Sequence, residues 1–69
     1  MIFTIRQARA IAGLTQVQMA EKLGISRDAY RKIEINPECV TVKQAIEISN
    51  ITGIDMNQIF FANDSTLSR

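Results

Sequence analysis

The feature that most constrains this sequence is a helix-start signal that recurs four times along a short chain. A threonine or an aspartate is followed three positions later by glutamine, which is the spacing of a capping box. The first side chain accepts a hydrogen bond from a free N–H of the new helix, and the glutamine binds back to the cap. The four pairs are Thr4 with Gln7, Thr15 with Gln18, Thr41 with Gln44 and Asp55 with Gln58. The threonine pairs fit the full box and the aspartate pair fits a related cap, so we predict short helices in quick succession.

Glycines and apolar spacing mark where these helices end and which face they bury. Gly13, Gly24 and Gly53 suit the left-handed turn that follows a last helical residue. Apolar residues recur at helical spacing between the caps and the glycines. The predicted helices cover 5–12, 16–23, 26–34, 42–52 and 56–61. A strand is possible only at Met1–Phe3 and is not predicted, so the predicted fold class is all-α with five helices.

Length and composition fit one small globular domain. The 69 residues allow a single domain with a thin core, and the 46% apolar content argues against disorder. We predict a domain over residues 1–62 and a polar tail over 63–69 that frays. The longest apolar run, 59–62, is far shorter than the roughly 20 residues of a membrane span. The start is too short before its first charge to be a secretory signal, so we expect a cytoplasmic chain without a membrane partner. The start methionine and the polar tail favour a whole chain over a fragment of a longer protein, which stays the alternative.

The sequence contains few of the residue combinations that catalysis or metal binding requires. The sequence has no histidine, and its single cysteine, Cys39, cannot form an intrachain disulfide or a Cys/His zinc site. The glycines lack the spacing of a phosphate-binding loop, and the serines and carboxylates are scattered. We therefore expect no enzyme activity, no metal and no cofactor.

The net charge of +1 conceals an uneven distribution of charged residues. Residues 1–34 carry six basic and three acidic side chains, a net charge of +3. Residues 35–69 carry two basic and four acidic side chains, a net charge of −2. Such asymmetry is typical of a chain whose basic half faces a polyanion, although it is a weak signal by itself.

The second and third predicted helices are joined by only Gly24-Ile25-Ser26. Two helices that meet through so short a turn containing glycine describe a helix-turn-helix. Ala20 is small where the second helix would lie against the third, and Gly24 tolerates the positive φ that ends the second helix. A generic helical hairpin would show some of the same features.

The outer face of the third predicted helix favours the helix-turn-helix interpretation. It carries five polar residues, three of them cationic: Ser26, Arg27, Asp28, Arg31 and Lys32. When a helix enters the major groove of DNA, arginine or lysine can donate to guanine O6 and N7, and aspartate can accept from cytosine N4. The alternative is an ordinary solvated face, on which Asp28 and Lys32 pair one turn apart.

A longer motif that includes this turn resembles a known family. Residues 15–34 read Thr-Gln-x-x-Met-Ala-Glu-Lys-Leu-Gly-Ile-Ser-Arg-x-x-Tyr-x-Lys-Ile-Glu, which is similar to the helix-turn-helix signature of phage repressors, Cro proteins and xenobiotic-response-element (XRE) regulators. The resemblance continues through Ala45-Ile46-x-Ile48, Gly53-Ile54 and Ile59-Phe60. It implies a compact five-helix domain like that of lambda repressor, which binds double-stranded operator DNA, usually as a homodimer. It also implies a repressor of transcription from a prokaryote or a phage.

The resemblance further implies roles for individual residues. The positions that face bases or adjoining phosphates are Ser26, Arg27, Asp28 and Lys32. Ala29 is a further base-reading candidate, through a thymine methyl group, or else a small spacer that allows close approach. The positions that contact phosphates are Thr15, Gln16 and Arg31, with Asn36 and Lys43 as the candidates further along. Arg9 and Glu34 match a largely buried ion pair that ties the first helix to the end of the third, which argues against Arg9 as a DNA contact. Helix N-termini attract anions, which agrees with a phosphate at Gln16.

Several residues depart from the family pattern. The segment 35–39 lacks the glycine and the basic residues that usually hold the DNA backbone, so fewer phosphate contacts are expected there. Thr52 replaces a usual leucine, and Val17 is apolar where the family prefers a charge. Together with the low net charge, the poor loop predicts modest affinity for a monomer, with dimerisation supplying the rest.

Two surfaces are candidates for a dimer, and two other functions stay open. The last predicted helix is too short to bury its apolar side chains, so Phe60 and Phe61 can form a dimer patch. Met1–Phe3 is the second candidate surface. One alternative is the antitoxin of a toxin–antitoxin pair, with Val17 or the phenylalanine patch facing the protein partner. The other alternative is a protein-interaction module that has lost DNA binding.

Overall fold

Short helices dominate the architecture, and the connections between them are only a few residues long. The computed structural model describes residues 2–61, so Met1 and residues 62–69, which include the predicted tail, lie outside the described part. In chain order the elements are β1 (Phe3–Thr4), α1 (Ile5–Ile11), α2 (Gln16–Leu23), α3 (Arg27–Ile35), a 3₁₀ turn (Pro37–Cys39), α4 (Val42–Thr52), a second 3₁₀ turn (Met56–Gln58) and β2 (Ile59–Phe60). Within residues 2–61, α4 is the longest helix at 11 residues, and none of the helices has the length and apolarity needed to pass through a membrane.

The three predicted capping boxes are present, and they open α1, α2 and α4. In α2 the Gln18 N–H donates to Thr15 Oγ1 at 3.1 Å, and the Thr15 N–H donates to Gln18 Oε1 at 2.9 Å. α3 begins at Arg27, one residue later than predicted, because Ser26 is its N-cap and accepts from the Ala29 N–H at 3.1 Å. Each helix therefore starts where a nearby side chain satisfies one of its free N–H groups.

The prediction of a fifth helix over 56–61 is wrong. Met56–Gln58 form only a 3₁₀ turn, and Ile59–Phe60 continue as β2. Asp55 accepts from the Asn57 N–H at 2.8 Å, so it caps a tight turn instead of the predicted helix. A segment this short cannot offset the cost of helix nucleation, whereas isoleucine and phenylalanine favour a strand once a partner strand is present. Residues 2–61 thus contain four α-helices, and the all-α class holds apart from one small ladder.

The ladder pairs β1 with β2 in parallel. Phe3 lies opposite Ile59, and Thr4 lies opposite Phe60. The strand β1 overlaps at Phe3 with Met1–Phe3, the segment where a strand was possible but not predicted. Because Ile59 is only 5% exposed, the pairing also brings an apolar side chain from the end of the described chain into the core.

One apolar core joins the four helices. Its largest fully buried side chains are Ile5 of α1, Met19 of α2, Tyr30 of α3 and Ile48 of α4. Complete burial of an apolar side chain of this size stabilises the fold by about 1.5–3 kcal/mol. The core therefore fixes α2 and α3 against α1 and α4, and this arrangement determines which face of α3 points outward.

Candidate nucleic-acid interface

α2 and α3 form the predicted helix-turn-helix. Gly24 ends α2 in the left-handed region, with φ +71°. The Ile25 N–H donates to the Ala20 carbonyl oxygen at 3.0 Å, which closes the turn. Ala20 is 2% exposed, as the small side chain between two closely packed helices should be. The turn thus sets where α3 begins and holds it against α2.

α3 is divided into a buried face and a polar outer face. Tyr30 and Ile33 on the buried face are 0% and 5% exposed. The polar residues predicted for the outer face are all exposed: Ser26, Arg27, Asp28, Arg31 and Lys32. Within residues 2–61, Asp28 and Lys32 do not form the surface ion pair that the alternative interpretation of this face expects. The outer face of α3 therefore carries its charges exposed to solvent.

A cleft of about 700 Å³ lies between α1, the start of α2 and α3. It brings together four of the residues predicted to contact DNA: Thr15, Gln16, Arg27 and Arg31. Its other lining residues are Arg6, Arg9, Val17, Glu34 and Ile35. Four arginines therefore line one concave surface beside a single carboxylate, which gives the cleft a positive potential suited to an anion.

The other flank of α3 lines a smaller groove of about 370 Å³. It contains the other four predicted base-reading residues: Ser26, Asp28, Ala29 and Lys32. Cys39 and Gln44 also line this groove. The predicted base-reading residues are thus divided between two flanks of α3, with Arg27 in the cleft and the rest in the groove.

Asn36 and Lys43 line neither the cleft nor the groove. Asn36 is exposed at the end of α3, where its N–H donates to the Lys32 carbonyl oxygen at 2.7 Å. Lys43 is exposed in the first turn of α4. These two residues can reach only a ligand that extends beyond both concave surfaces.

A hydrogen-bonded network centred on the Glu34 carboxylate connects the helices around the cleft. Arg9 Nε donates to Glu34 Oε2 at 2.7 Å, and Gln16 Nε2 donates to Glu34 Oε1 at 3.0 Å. The Tyr30 hydroxyl donates to Oε2 at 2.5 Å, and Arg9 Nη1 donates to the Leu14 carbonyl oxygen at 2.8 Å. The side chains of Arg9 and Glu34 are only 15% and 7% exposed. One carboxylate thus links α1, α2 and α3.

The network shifts the pKa of three of its members. Burial would lower the pKa of Arg9, but its hydrogen bond to Glu34 and the charge of Glu34 outweigh burial and raise it. Burial alone would raise the pKa of Glu34, but the hydrogen bonds from Tyr30, Arg9 and Gln16 and the charge of Arg9 outweigh burial and lower it. Burial and the bond to Glu34 together raise the pKa of Tyr30. At neutral pH, Glu34 is therefore an ionised acceptor and Tyr30 a neutral donor.

Three features of this region are absent from the sequence-based predictions. Arg6 lines the cleft, and its place three residues before Arg9 on one helix face is the signal that points to it. The Tyr30–Glu34 bond spans one helical turn, so the spacing of the two residues also suggests it. The Gln16–Glu34 bond joins residues 18 positions apart, and no local sequence pattern predicts it.

The remaining candidate sites are described only in part. Phe61 is half-buried against the core, and the side chain of Phe60 lies outside the described part of the structure. Ile2 is 58% exposed, next to the undescribed Met1. Cys39 is exposed, and between residues 2 and 61 no three histidine, cysteine, aspartate or glutamate side chains gather where they could hold a metal.

The sequence of this chain is similar to those of known helix-turn-helix proteins. The family model described as helix-turn-helix matches residues 5–59. The chain is 36% identical over 55 residues to the uncharacterized HTH-type transcriptional regulator YqaE of Bacillus subtilis (strain 168), covering 80% of this chain and 47% of that protein. It is 33% identical over 60 residues to the uncharacterized HTH-type transcriptional regulator MJ0272 of Methanocaldococcus jannaschii, covering 87% of this chain and 91% of that protein.

The extent of these matches identifies the family. The chain spans about half the length of the Bacillus relative and nearly all of the Methanocaldococcus relative. No solved structure matches the chain significantly. The family match runs from the start of α1 to the first residue of β2, so it includes both helices of the turn and the core around them. The resemblance seen in the sequence is confirmed, and the chain belongs to the XRE-type helix-turn-helix family.

Proposed function

We propose that this chain binds double-stranded DNA sequence-specifically and regulates transcription, with α3 in the major groove. The exposed polar face of α3, opposite a buried face, is the observation that carries the proposal. A helix fits the major groove, and the N-terminal residues of the second helix of a helix-turn-helix contact base edges. The family and the names of two relatives, both HTH-type transcriptional regulators, support this function. The resemblance to repressors and Cro proteins favours a cytoplasmic repressor of a prokaryote or phage.

In this proposal α3 reads bases from both of its flanks. Arg27 donates to guanine O6 and N7 on the cleft side, and Asp28 accepts from cytosine N4 on the groove side. Lys32, one turn after Asp28, donates to a further base or an adjoining phosphate. Ser26 Oγ already accepts from the Ala29 N–H, so its hydroxyl proton remains available to a base acceptor. The half-buried Ala29 contacts a thymine methyl group or lets the helix approach closely.

Phosphate contacts hold α3 in register on the duplex. Thr15 and Gln16 begin α2, where free N–H groups and the partial positive charge of the helix favour an anion. Gln16 Nε2 uses one N–H for Glu34, which leaves the second N–H for a phosphate oxygen. The remaining phosphate contacts in this proposal are Arg31, Asn36 and Lys43.

Arg9 and Glu34 serve the interface indirectly in this proposal. Arg9 Nε and Nη1 are both engaged within the protein, so this side chain holds α1 to α3 instead of reading DNA. Because Gln16 binds the same carboxylate, the network also sets the start of α2 relative to α3. The pair thus positions the residues that contact the ligand.

We propose that the chain acts on its operator as a homodimer. The β1–β2 pairing supports this assignment because it sets Phe3, from one candidate dimer surface, beside the strand that contains Phe60, from the other. A two-fold dimer would present two α3 helices to half-sites about 34–36 Å apart. Two linked half-sites also compensate for the modest affinity expected of a chain with a net charge of +1.

The salt dependence of duplex binding tests the proposed function. Affinity for a pool of randomised duplexes is measured by fluorescence anisotropy at about 50 mM and 200 mM salt. We expect steep weakening over this range, because several lysine and arginine contacts to phosphates release counterions. A protein-interaction module that has lost DNA binding would show no duplex binding even at the lower salt concentration.

A further inference from the structure

Arg6 is a cation that the fold itself does not explain. It is exposed in the first turn of α1 and forms no ion pair or side-chain hydrogen bond within residues 2–61. A positive charge in the first turn of a helix is unfavourable, because that end of the helix carries partial positive charge. The first turn of α1 contains no acidic residue that would compensate. Stability of α1 therefore gives no reason for an arginine here.

The surroundings of Arg6 give it a different role. Arg6 lines the same cleft as Gln16, Arg27 and Arg31, which the proposed function assigns to DNA. Arg9 lines this cleft as well, but its charge is matched by Glu34 at 2.7 Å. Arg6 therefore extends the unmatched positive charge of the cleft from α3 to α1.

The cleft also has apolar walls beside these cations. Val17 and Ile35 line it and are 48% and 67% exposed. A free inorganic anion gains little from such walls, whereas the DNA backbone alternates phosphates with sugars that present C–H surface. Arginines and aliphatic side chains in one cleft therefore suit a sugar-phosphate strand, the part of DNA that receives half or more of protein hydrogen bonds.

We propose that Arg6 is a further phosphate contact, outside the helix-turn-helix, and that the cleft receives the sugar-phosphate backbone at one edge of the major groove. This inference rests on the proposed DNA binding and adds α1 to the interface. Phosphate contacts fix the orientation of a protein on the duplex but do not read its sequence. Arg6 is therefore a positioning residue whose removal weakens binding to all duplexes alike.

A matched pair of charge-removing variants tests this assignment. Arg6→Gln and Lys22→Gln each remove one positive charge, but Lys22 is exposed in the last turn of α2 and lines neither the cleft nor the groove. The dissociation constant of each variant for the duplex pool is measured from about 50 to 200 mM salt. We expect Arg6→Gln to reduce the slope of log affinity against log salt by about 0.9. Lys22→Gln and the charge-conserving Arg6→Lys should keep the wild-type slope.

The outcomes separate this inference from the proposed function. The inference alone would be overturned if the wild type bound the duplex pool and Arg6→Gln kept the wild-type slope. It would also be overturned if Lys22→Gln reduced the slope as much as Arg6→Gln. No duplex binding by the wild type would overturn both proposals. The thermal midpoint of Arg6→Gln should be equal to that of the wild type or slightly higher, since Arg6 has no partner within the described residues and its charge is unfavourable in the first turn of α1. A clearly lowered midpoint would assign Arg6 a structural role instead.

Discussion

Glu34 is the residue on which the local geometry depends most. Its carboxylate accepts hydrogen bonds from Arg9 of α1, Gln16 of α2 and Tyr30 of α3. A buried network that loses one member is costly, because the remaining charge is left unpaired away from water. Single substitutions in this network should therefore affect folding before they affect recognition.

Replacing Arg9 by alanine is expected to lower the free energy of unfolding by about 3–5 kcal/mol. The change leaves the Glu34 side chain, which is 7% exposed, without its balancing cation. Thermal denaturation followed by circular dichroism measures the loss, and Lys22→Ala on the exposed surface should stay within about 0.5 kcal/mol of the wild type. If Arg9→Ala lost DNA binding at an unchanged thermal midpoint, Arg9 would be a DNA contact and not a structural residue.

The pH dependence of stability follows from the direction of the Glu34 shift. The pKa of Glu34 in the folded chain lies below its ordinary value of 4.5, so ionised Glu34 contributes stability that is fully present above that value. This contribution disappears as the pH falls through the folded pKa. We expect acid to lower the thermal midpoint of the wild type more than that of Glu34→Gln, which has no carboxyl to titrate. Parallel midpoint curves below about pH 4.5 would contradict this role of Glu34.

The outer face of α3 could be predicted from the sequence, whereas the environment of the cleft could not. The exposure of Arg27, Arg31 and Lys32 follows from helical spacing, because Tyr30 and Ile33 must face the core. The spacing of Arg6 and Arg9 places both on one face of α1, but it does not show that this face lies beside α3, because that depends on how the helices pack.

Among the secondary-structure elements, α1, α2 and α4 begin at the capping boxes that the sequence predicts, because a capping box is complete within four residues. The segment after Gly53 differs because its structure depends on a distant partner. β2 pairs with Phe3–Thr4, from the opposite end of the described chain, and no local pattern contains that partner. The isoleucine and phenylalanines at 59–61 favour strands, so composition alone argues against the helix predicted there.

Gly24 offers the sharpest test of the turn between α2 and α3. It has φ +71°, which residues with a side chain rarely adopt, and a Cβ added there would meet no atom within 4 Å. A substitution at this position is therefore unfavourable because of the backbone conformation and not because of a clash. Gly24→Ala should therefore lower the free energy of unfolding by about 1–2 kcal/mol. Gly24→Asn should cost less, because asparagine tolerates the left-handed region better. Equal stability of all three proteins in urea denaturation would show that the turn does not require this conformation.

At the scale of the whole molecule, the fold separates charge along with function. Residues 1–34, with a net charge of +3, contain α1, α2 and all but the last residue of α3. Residues 35–69, with a net charge of −2, contain α4 and the segment that pairs with β1. The net positive charge of residues 1–34 favours the approach of a polyanion to the half of the chain that contains the helix-turn-helix. The net charge of +1 for the whole chain thus conceals the positive charge of the half that contains the helix-turn-helix.

Selection of bound duplexes from a random pool, by the wild type and by Arg27→Ala in parallel, tests whether α3 reads the base sequence of DNA through Arg27. The wild type should select a roughly palindromic sequence, because a two-fold dimer places one α3 in each half-site. Arg27→Ala should lose about 1–3 kcal/mol of discrimination at one base position in each half-site and keep the rest of the preference. Uniform weakening across all sequences would contradict the claim that Arg27 on α3 reads a base, as would an unaltered preference in the variant.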